Sequence, residues 1–380
     1  MKINSKKNNT YFAFIAGLLI VYFFVFIKTL INIDEELKFA FKSKENYLFH
    51  KKYSRQIHHI RDESALDNMI GKTTSKDLLF SNIYNDGKKT ILFQGDSWIN
   101  QIGRVQNKRS FNYLREFGIK KNINIKGAGI ASYSPSLMNL QLDLLENDFN
   151  IKPTIIVAFI NQLDFGDELC RYKNNKIYIN GKFEKIKEES NYEGVGWYNY
   201  TRVYGISEIN FKNESNFIKT FNLINFKLDT SIKRIFKRIK RILLQKKIEK
   251  KCYNNQIERY LIKPDEREIK YFESTIIEYL EKIDEKKHVK NIVLVTFPLK
   301  KHFISQDNKK EIFKYNIAQS VNKIILNKRK VIHLDFSDLL LNHPNFDHSN
   351  IWAKDEVHLN PNNHSDLFIK NILKEIDSLL

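Results

Sequence analysis

The chain has 380 residues, 42% of them apolar, which is ordinary for a globular protein and leaves room for one large domain or one domain with insertions. Its 63 lysines and arginines against 44 aspartates and glutamates give a formal net charge of +19, which indicates an anionic partner such as lipid, nucleic acid or acidic polysaccharide. The two cysteines, Cys170 and Cys252, have no metal-ligand spacing, so a zinc site is not expected; they could pair in an oxidising compartment or stay reduced.

The N-terminal segment has the pattern of an uncleaved membrane anchor. Residues 1–10 are polar and basic, residues 11–31 are apolar for about the 20 residues that span a bilayer, and acidic residues 34–36 follow. This charge order places the N-terminus in the cytoplasm and the rest of the chain outside it, in a periplasm or lumen. A cleaved signal peptide is the alternative, but its apolar core would be shorter and would end in small residues.

Residues 32–87 are charged and tyrosine-rich, and they show no clear strand alternation. We expect them to form a stalk that leads into the main domain, with helices at Ser64–Ile70 and Ser75–Ile83.

The main domain is predicted over residues 88–380, where short apolar runs alternate with longer helical patterns. Strands are predicted at Thr90–Phe93, Asn122–Lys126, Thr154–Ile160, Lys290–Phe297 and Lys330–Leu334, with helices at 99–117, 136–147, 264–287 and the C-terminus. The alternation predicts an α/β class, with a parallel five-stranded sheet and helices on both faces in a three-layer, flavodoxin-like fold.

A long insertion, at about residues 163–288, separates the third and fourth predicted strands. Asn180-Gly181 predicts a hairpin of strands Lys176–Ile179 and Lys182–Ile186, which could cover a groove. Residues 231–251 predict a basic amphipathic helix, and beside an anchor it is expected to lie on anionic lipid. A lid or packing helix with a solvated basic face is the alternative. Nucleic acid is not expected, because the anchor's charge bias keeps this helix out of the cytoplasm.

Two distant stretches carry residues with the chemistry of a nucleophile and its base. Gly95-Asp96-Ser97 ends the first strand and begins a helix, which would hold the Ser97 hydroxyl at the carboxyl edge of the sheet. Asp355 and His358 can meet across one turn, so that the carboxylate orients the imidazole and the other ring nitrogen takes a proton from the hydroxyl. His348 is a rival base, but its neighbour Asp347 would point away.

These stretches resemble the SGNH (GDSL-like) hydrolase superfamily. Gly95–Trp98 is similar to its first block, Lys126–Ser132 to the second and Asp355–His358 to the last, while the Gly-x-Asn-Asp of the third keeps only Asn161 and has Phe159 in the glycine position. The resemblance implies a catalytic Ser97, Asp355 and His358. It also implies an oxyanion hole made by the backbone N–H groups of Ser97 and Gly129 and the Asn161 amide.

The resemblance also implies the substrate class. Related membrane-tethered domains act on O-acetyl groups of cell-envelope polysaccharides, so a serine esterase or O-acetyltransferase on acylated carbohydrate is expected, with no metal or other cofactor. Contacts to substrate are expected from Asp96, Trp98, Asp164 and Lys300. A non-catalytic polysaccharide-assembly protein with this fold and a lipid-directed esterase are the alternatives. The membrane and other envelope-assembly proteins are the expected partners.

Overall fold

The structure is a computed structural model, and it describes residues 4–33, 80–102, 108–130, 132–186, 215–222, 224–225, 264–299, 315–326, 330–341, 352, 358, 360 and 365–380. The chain forms two compact units, one of residues 1–51 with 195–248 and the other of residues 52–194 with 249–380.

The second unit is a mixed α/β unit with a central sheet. The described strands are β1 (Ser81–Tyr84), β2 (Lys89–Gly95), β3 (Ile123–Gly129), β4 (Ile155–Asn161), β5 (Lys176–Ile179), β6 (Lys182–Ile186), β7 (Asn291–Phe297) and β8 (Val331–Asp335). Six of them form one sheet in the order β1-β3-β2-β4-β7-β8, in which β1 is antiparallel to β3 and the other five strands are parallel. The five parallel strands are those predicted from the apolar runs, and the predicted total of five is corrected to six.

The central strands of the sheet are apolar and buried on both faces. Ile91, Leu92 and Phe93 of β2 have no exposed surface, and every residue of β4 is buried. A parallel sheet with helices on both faces needs such continuous apolar strands, since neither face meets water.

The described helices include α1 (Asn4–Ile31), α2 (Ser97–Ile102), α3 (Lys108–Lys121), α4 (Pro135–Phe149), α5 (Gln162–Asp167), α6 (Glu266–Asp284), α7 (Ile317–Ile325), α8 (Phe336–Leu341) and α9 (Ser365–Ser378). In the second unit, α3 packs against α9, while α4 packs against α6. Of the helix predicted over 99–117, the structure describes α2 and α3, and residues 103–107 between them lie outside the described part.

Strand β1 corrects the prediction of a helix at Ser75–Ile83. It covers the open edge of β3, where unpaired backbone groups would otherwise face solvent. The Ile83 side chain is buried in the core, and the Lys126 ammonium on β3 donates to the side-chain oxygens of Asn82 and Asn85 at 2.6 Å each. The sheet therefore begins before residue 88, while the predicted helix at 64–70 lies outside the described residues.

The hairpin β5–β6 has the predicted bounds. Asn180 and Gly181 both have positive φ angles, 51° and 77°, as a two-residue turn with right-handed strand twist requires. Cys170, just before this hairpin, is disulfide-bonded. Cys252, the other cysteine of the sequence, lies outside the described residues.

The first unit contains α1 and a helical stretch over residues 216–222. Within it the Phe26 ring packs against the Phe217 ring with their centroids 5.0 Å apart, and Phe26, Ile33 and Ile224 are buried. Other large apolar side chains of α1 are exposed, namely Leu19, Ile20, Val21, Phe23, Phe24 and Ile31. In the described part of the chain, no helix has the length and apolar character that crossing a bilayer requires. The basic segment 231–251 lies outside that part.

Candidate active site

The candidate site lies where three neighbouring strands end. From β2 the chain passes through α2 and α3 to β3 on one side, and from β3 it returns through α4 to β4 on the other side of β2. The carboxyl ends of strands at such a reversal open a crevice in which α/β sheets place their sites. Ser97 follows β2, Gly129 ends β3 and Asn161 ends β4, so the topology brings the three residues to one edge.

The turn that carries Ser97 requires a glycine before it. Gly95 has a φ of 156°, and a Cβ there would lie 2.9 Å from the Cβ of Phe159 on β4. Asp96 then makes the turn: its carbonyl accepts from the backbone N–H of Asn100 at 3.1 Å, and its side chain accepts from the backbone N–H of Trp98 at 2.8 Å. Ser97 becomes the first residue of α2 and is only half-buried, so its hydroxyl is accessible.

The Ser97 hydroxyl meets the imidazole of His358. The Oγ and Nε2 atoms lie 2.7 Å apart, although the residues are 261 positions apart in the sequence. If the neutral imidazole carries its proton on Nδ1, the serine hydroxyl donates to Nε2, which is the arrangement a general base needs. The structure thus brings together two of the three predicted catalytic residues. The third, Asp355, lies outside the described residues, as do the rival base His348 and the predicted substrate contact Lys300.

An aromatic cluster explains how a residue from the C-terminal region reaches Ser97. Trp352 and Phe368 flank His358 in the sequence, and both are buried against Phe297 at the end of β7, with ring centroids 6.4 and 5.0 Å away. Phe297 also packs on Trp98, the neighbour of the nucleophile, at 4.0 Å. The Phe297 ring therefore contacts both halves of the candidate site, a role that no pattern in the sequence predicts.

Gly129 packs directly against the first turn of α2. A Cβ at this position would lie 2.3 Å from the Asn100 nitrogen and 2.5 Å from the Ile99 carbonyl carbon, and neither backbone atom can move without moving the helix. The next residue, Ile130, donates its backbone N–H to the Gly95 carbonyl at 3.2 Å. The end of β3 therefore lies next to the turn that carries Ser97, as a donor to an oxyanion at Ser97 must.

The Asn161 side-chain amide makes a hydrogen bond through its oxygen and another through its nitrogen. Its Oδ1 accepts from the Leu163 N–H at 2.6 Å and begins α5 in a capping box, in which the Asp164 carboxylate accepts from the Asn161 N–H at 3.0 Å. Its Nδ2 donates to the Asp96 carboxylate. Because an amide nitrogen carries two hydrogens, the contact with Asp96 leaves a second one for a developing oxyanion. The role of Asn161 in an oxyanion hole stays a prediction.

Four buried carboxyl groups lie beside the site, and no pattern in the sequence predicts their burial. They are Asp96, Asp164, Asp167 and Glu168, each 4% exposed or less. Burial raises the pKa of Asp96, against the hydrogen bond from Trp98, the charge of His358 and the bond from Asn161, which all lower it. Burial, together with the charges of Asp96 and Asp167, raises the pKa of Asp164 well above its usual value.

The hydrogen bonds indicate which of the neighbouring acids Asp96 and Asp164 keeps a proton. Both oxygens of Asp96 accept from donors, whereas Oδ1 of Asp164 has no hydrogen-bond partner among the described residues. A proton on Asp164 Oδ1 breaks no hydrogen bond, whereas a proton on either oxygen of Asp96 would face the hydrogen of a donor and break the hydrogen bond there. We therefore assign the ionised state to Asp96 and the neutral state to Asp164.

Three of the predicted substrate contacts lie below the surface. Asp96, Trp98 and Asp164 are 4%, 3% and 0% exposed. In this structure they support the turn, the aromatic cluster and the capping box rather than lining the surface of the site. No group of three or more histidine, cysteine, aspartate and glutamate side chains in the described part of the chain is placed to hold a metal ion.

No protein-family model and no curated protein matches the sequence. Among solved structures, a catalytic mutant of an acetylxylan esterase from Geobacillus stearothermophilus aligns at 14% identity and a TM-score of 0.37, over 77% of this chain and 95% of that one. A GDSL-like lipase from Bacteroides thetaiotaomicron aligns at 12% identity and a TM-score of 0.35, over 88% of this chain and 100% of that one. Values this low do not assign the chain to a family.

Proposed function

We propose that the protein is a serine esterase or O-acetyltransferase of the SGNH type, acting on acyl esters, with acetyl esters of cell-envelope carbohydrate as the substrate class. The hydrogen bond of 2.7 Å between Ser97 Oγ and His358 Nε2 is the observation that carries the proposal. The substrate class is what the resemblance of the sequence blocks around Ser97, Gly129 and His358 to membrane-tethered SGNH domains implies.

The proposed reaction begins with attack of the Ser97 hydroxyl on the ester carbonyl. His358 Nε2 takes the hydroxyl proton during attack, and Asp355 would hold the imidazole by its Nδ1–H. The oxyanion would accept hydrogen bonds from the backbone N–H groups of Ser97 and Gly129 and from the Asn161 amide, and losing one such donor typically costs about 3 kcal/mol of barrier. The intermediate collapses to an acyl-enzyme, and the leaving alcohol takes its proton from His358.

Asp96 supports this reaction through its fixed charge. Burial raises the pKa of Asp96, and attraction between its carboxylate and the charge of His358 opposes that rise; the same attraction would favour the imidazolium that forms during attack. The acyl group then passes to water, which gives an esterase, or to a sugar hydroxyl, which gives a transferase.

A fluorophosphonate probe tests the proposal, because it forms a covalent adduct only with an activated serine. The full chain, purified in mild detergent, is expected to gain one adduct that peptide mapping places on Ser97. Ser97→Ala should abolish the adduct, and His358→Ala should slow it by about 10³-fold or more. His288→Ala is the matched control, since His288 lies beside Glu146 and three residues before the first residue of β7, and it should label like the wild type. A folded wild type without adduct at Ser97 would refute the proposal.

Release of acetate from an acetylated oligosaccharide separates the two activities. An esterase releases free acetate at a rate that an added unacetylated oligosaccharide does not change. A transferase instead places acetyl groups on the added acceptor, which mass spectrometry detects.

Attachment to a membrane through residues 11–31 is part of the proposal and rests on the sequence pattern, supported by the exposed apolar side chains of α1. The protein should remain in the membrane fraction after alkaline carbonate washing. Protease added outside the inner membrane should remove a C-terminal tag. Release by carbonate would contradict the anchor but would leave the esterase proposal intact.

A further inference from the structure

The segment that follows α5 contacts the loop that follows Gly129. This segment, Glu168–Tyr172, is a π-helical turn at the start of the insertion. The segment 130–136, called the loop below, joins the end of β3 to the first turn of α4, and Ala131 within it lies outside the described residues. At its first residue the loop is fixed to the turn carrying Ser97 by the hydrogen bond from Ile130 to the Gly95 carbonyl. What fixes its other end therefore helps to place Gly129.

Glu168 holds the far end of the loop. Its Oε1 accepts from the Ser134 hydroxyl at 2.7 Å and from the Ser136 backbone N–H at 2.8 Å, and its Oε2 accepts from the Ser136 hydroxyl at 2.9 Å. Ser134 is the N-cap residue of α4, but its side chain makes no capping bond. Glu168 thus supplies the cap from another segment, and its negative charge suits the N-terminal end of a helix.

Tyr172 holds the middle of the loop. Its side chain is completely buried, and its hydroxyl donates to the Ser132 carbonyl at 2.7 Å. Ser132 has a φ of 63°, a left-handed conformation that a residue with a side chain adopts only when its surroundings hold it there. The hydrogen bond from Tyr172 is one such restraint.

The Glu168 carboxylate is itself held from behind. Glu168 has no exposed surface, and the ammonium of Lys176, on β5, lies 4.0 Å from its Oε2. Lys176 also pairs with Glu278 of α6 at 3.4 Å, and its side chain is only 3% exposed. A buried carboxylate with three donors and a cation nearby has little freedom to move, which makes it a rigid support.

We propose that Glu168 and Tyr172 are positioning residues, which hold the loop 130–136 so that the Gly129 N–H stays aligned with an oxyanion at Ser97. The inference rests on the proposed function. A misplacement of about 1 Å in a catalytic donor can lower the rate about 10²-fold, so a loosened loop should lower kcat while leaving substrate binding largely intact. Neither residue needs to touch the substrate.

The variants follow from the chemistry of the contacts. Glu168→Ala removes all three acceptor interactions. Glu168→Gln keeps one oxygen for Ser134 and the Ser136 N–H, and the Ser136 hydroxyl can rotate to accept from the new amide. Tyr172→Phe removes only the bond to Ser132 and keeps the buried ring. Glu278→Gln is the matched control, because it alters the same lysine without touching the loop.

The test measures kcat and KM for p-nitrophenyl acetate with the full chain, together with backbone hydrogen exchange in peptides covering residues 129–136. We expect kcat to fall about tenfold or more in Glu168→Ala and about threefold in Tyr172→Phe, with KM within twofold of wild type. Glu168→Gln should recover most of the lost rate, and Glu278→Gln should match the wild type. Backbone hydrogen exchange in residues 129–136 should become faster in Glu168→Ala and Tyr172→Phe only.

The outcomes separate the inference from the proposed function. The inference is overturned if Tyr172→Phe and Glu168→Ala both keep the wild-type kcat. It is also overturned if Glu278→Gln loses as much of kcat as they do. If Glu168→Ala does not fold, Tyr172→Phe and Glu168→Gln decide the question. If the wild type has neither esterase activity nor an adduct at Ser97, the proposed function is overturned, and the expected effect of the variants on kcat falls with it. In that case the exchange data alone show whether Glu168 and Tyr172 hold the loop.

Discussion

Replacing Asp96 by asparagine tests whether an ionised carboxylate lies under the nucleophile. The change keeps the shape of the side chain but leaves one oxygen where there were two. One Asp96 oxygen accepts from the Trp98 backbone N–H and the other from Nδ2 of Asn161. Neither donor can reorient. The Trp98 N–H belongs to the backbone of α2, and the Asn161 amide is fixed by the hydrogen bond that its Oδ1 accepts from the Leu163 N–H.

In Asp96→Asn the new NH₂ group must therefore face one of these donors. A buried donor left without an acceptor costs about 1–3 kcal/mol, and more where the lost acceptor was charged. Since the side chain is 4% exposed, water cannot replace the lost bond, and we expect a loss of about 3 kcal/mol. With an unfolding entropy of about 2 cal/mol/K per residue over 380 residues, this corresponds to a melting temperature lower by roughly 4 °C. The rate should fall about 10- to 100-fold, because the Asn161 amide and the charge near His358 change together.

Asp164→Asn is the matched control. It is the same isosteric change in a neighbouring buried acid, but Asp164 accepts only from the Asn161 N–H through one oxygen, a bond that an asparagine oxygen keeps. The assay is calorimetric melting of the purified full chain, with kcat for p-nitrophenyl acetate. If Asp96→Asn melts and turns over like Asp164→Asn, then Asp96 is not an ionised acceptor of two fixed donors, and the reasoning fails.

Three further expectations concern pH, backbone contact and the disulfide. Burial, with the charges of Asp96 and Asp167, raises the pKa of Asp164 well above the usual aspartate value of about 3.9, so the stability it contributes is full below that value and is lost as pH rises through the folded pKa; Asp164→Asn should flatten this fall in melts from pH 4 to 9. Gly129→Ala should lower kcat at least about 10²-fold and lower the melting temperature, whereas Gly17→Ala, whose Cβ meets no atom within 4 Å, should do neither. Cys170→Ser should destabilise the chain by about 2–4 kcal/mol and remove the effect of dithiothreitol on its melting.

The parallel part of the sheet could be predicted because each of its strands carries its own signal. Runs such as Ile155–Ile160 are apolar, β-branched or aromatic, and short, which suits strands buried on both faces. Strand β1 carries almost no signal of this kind. It has four residues, only Ile83 among them is fully buried, and it exists because the edge of β3, about 40 positions later, supplies its hydrogen-bond partners.

The buried acids could not be predicted for a related reason. In the sequence, Asp164, Asp167 and Glu168 form an acidic group in a connection after a strand, which is typical of a solvated loop or a substrate contact. Glu168, for example, is covered by Ser134 of the loop 130–136 and by Lys176 of β5, which reach it from other segments. The hydrophobic periodicity of a helix or strand shows which of its faces is apolar, but it does not show which other segment covers that face.

The same limit applies to the pairing of Ser97 with His358. The sequence favours His358 over His348 only through the spacing of the nearby aspartate, which is a local feature, whereas the approach of two residues 261 positions apart is set by packing. In the structure that packing passes through Phe297, which contacts Trp98 beside the serine and the two aromatic residues that flank the histidine. Because an apolar core fixes side-chain positions to within fractions of an ångström, the hydroxyl and the imidazole can be aligned without any direct link between their segments. The alignment of the candidate site thus depends on a ring that takes no part in its proposed chemistry.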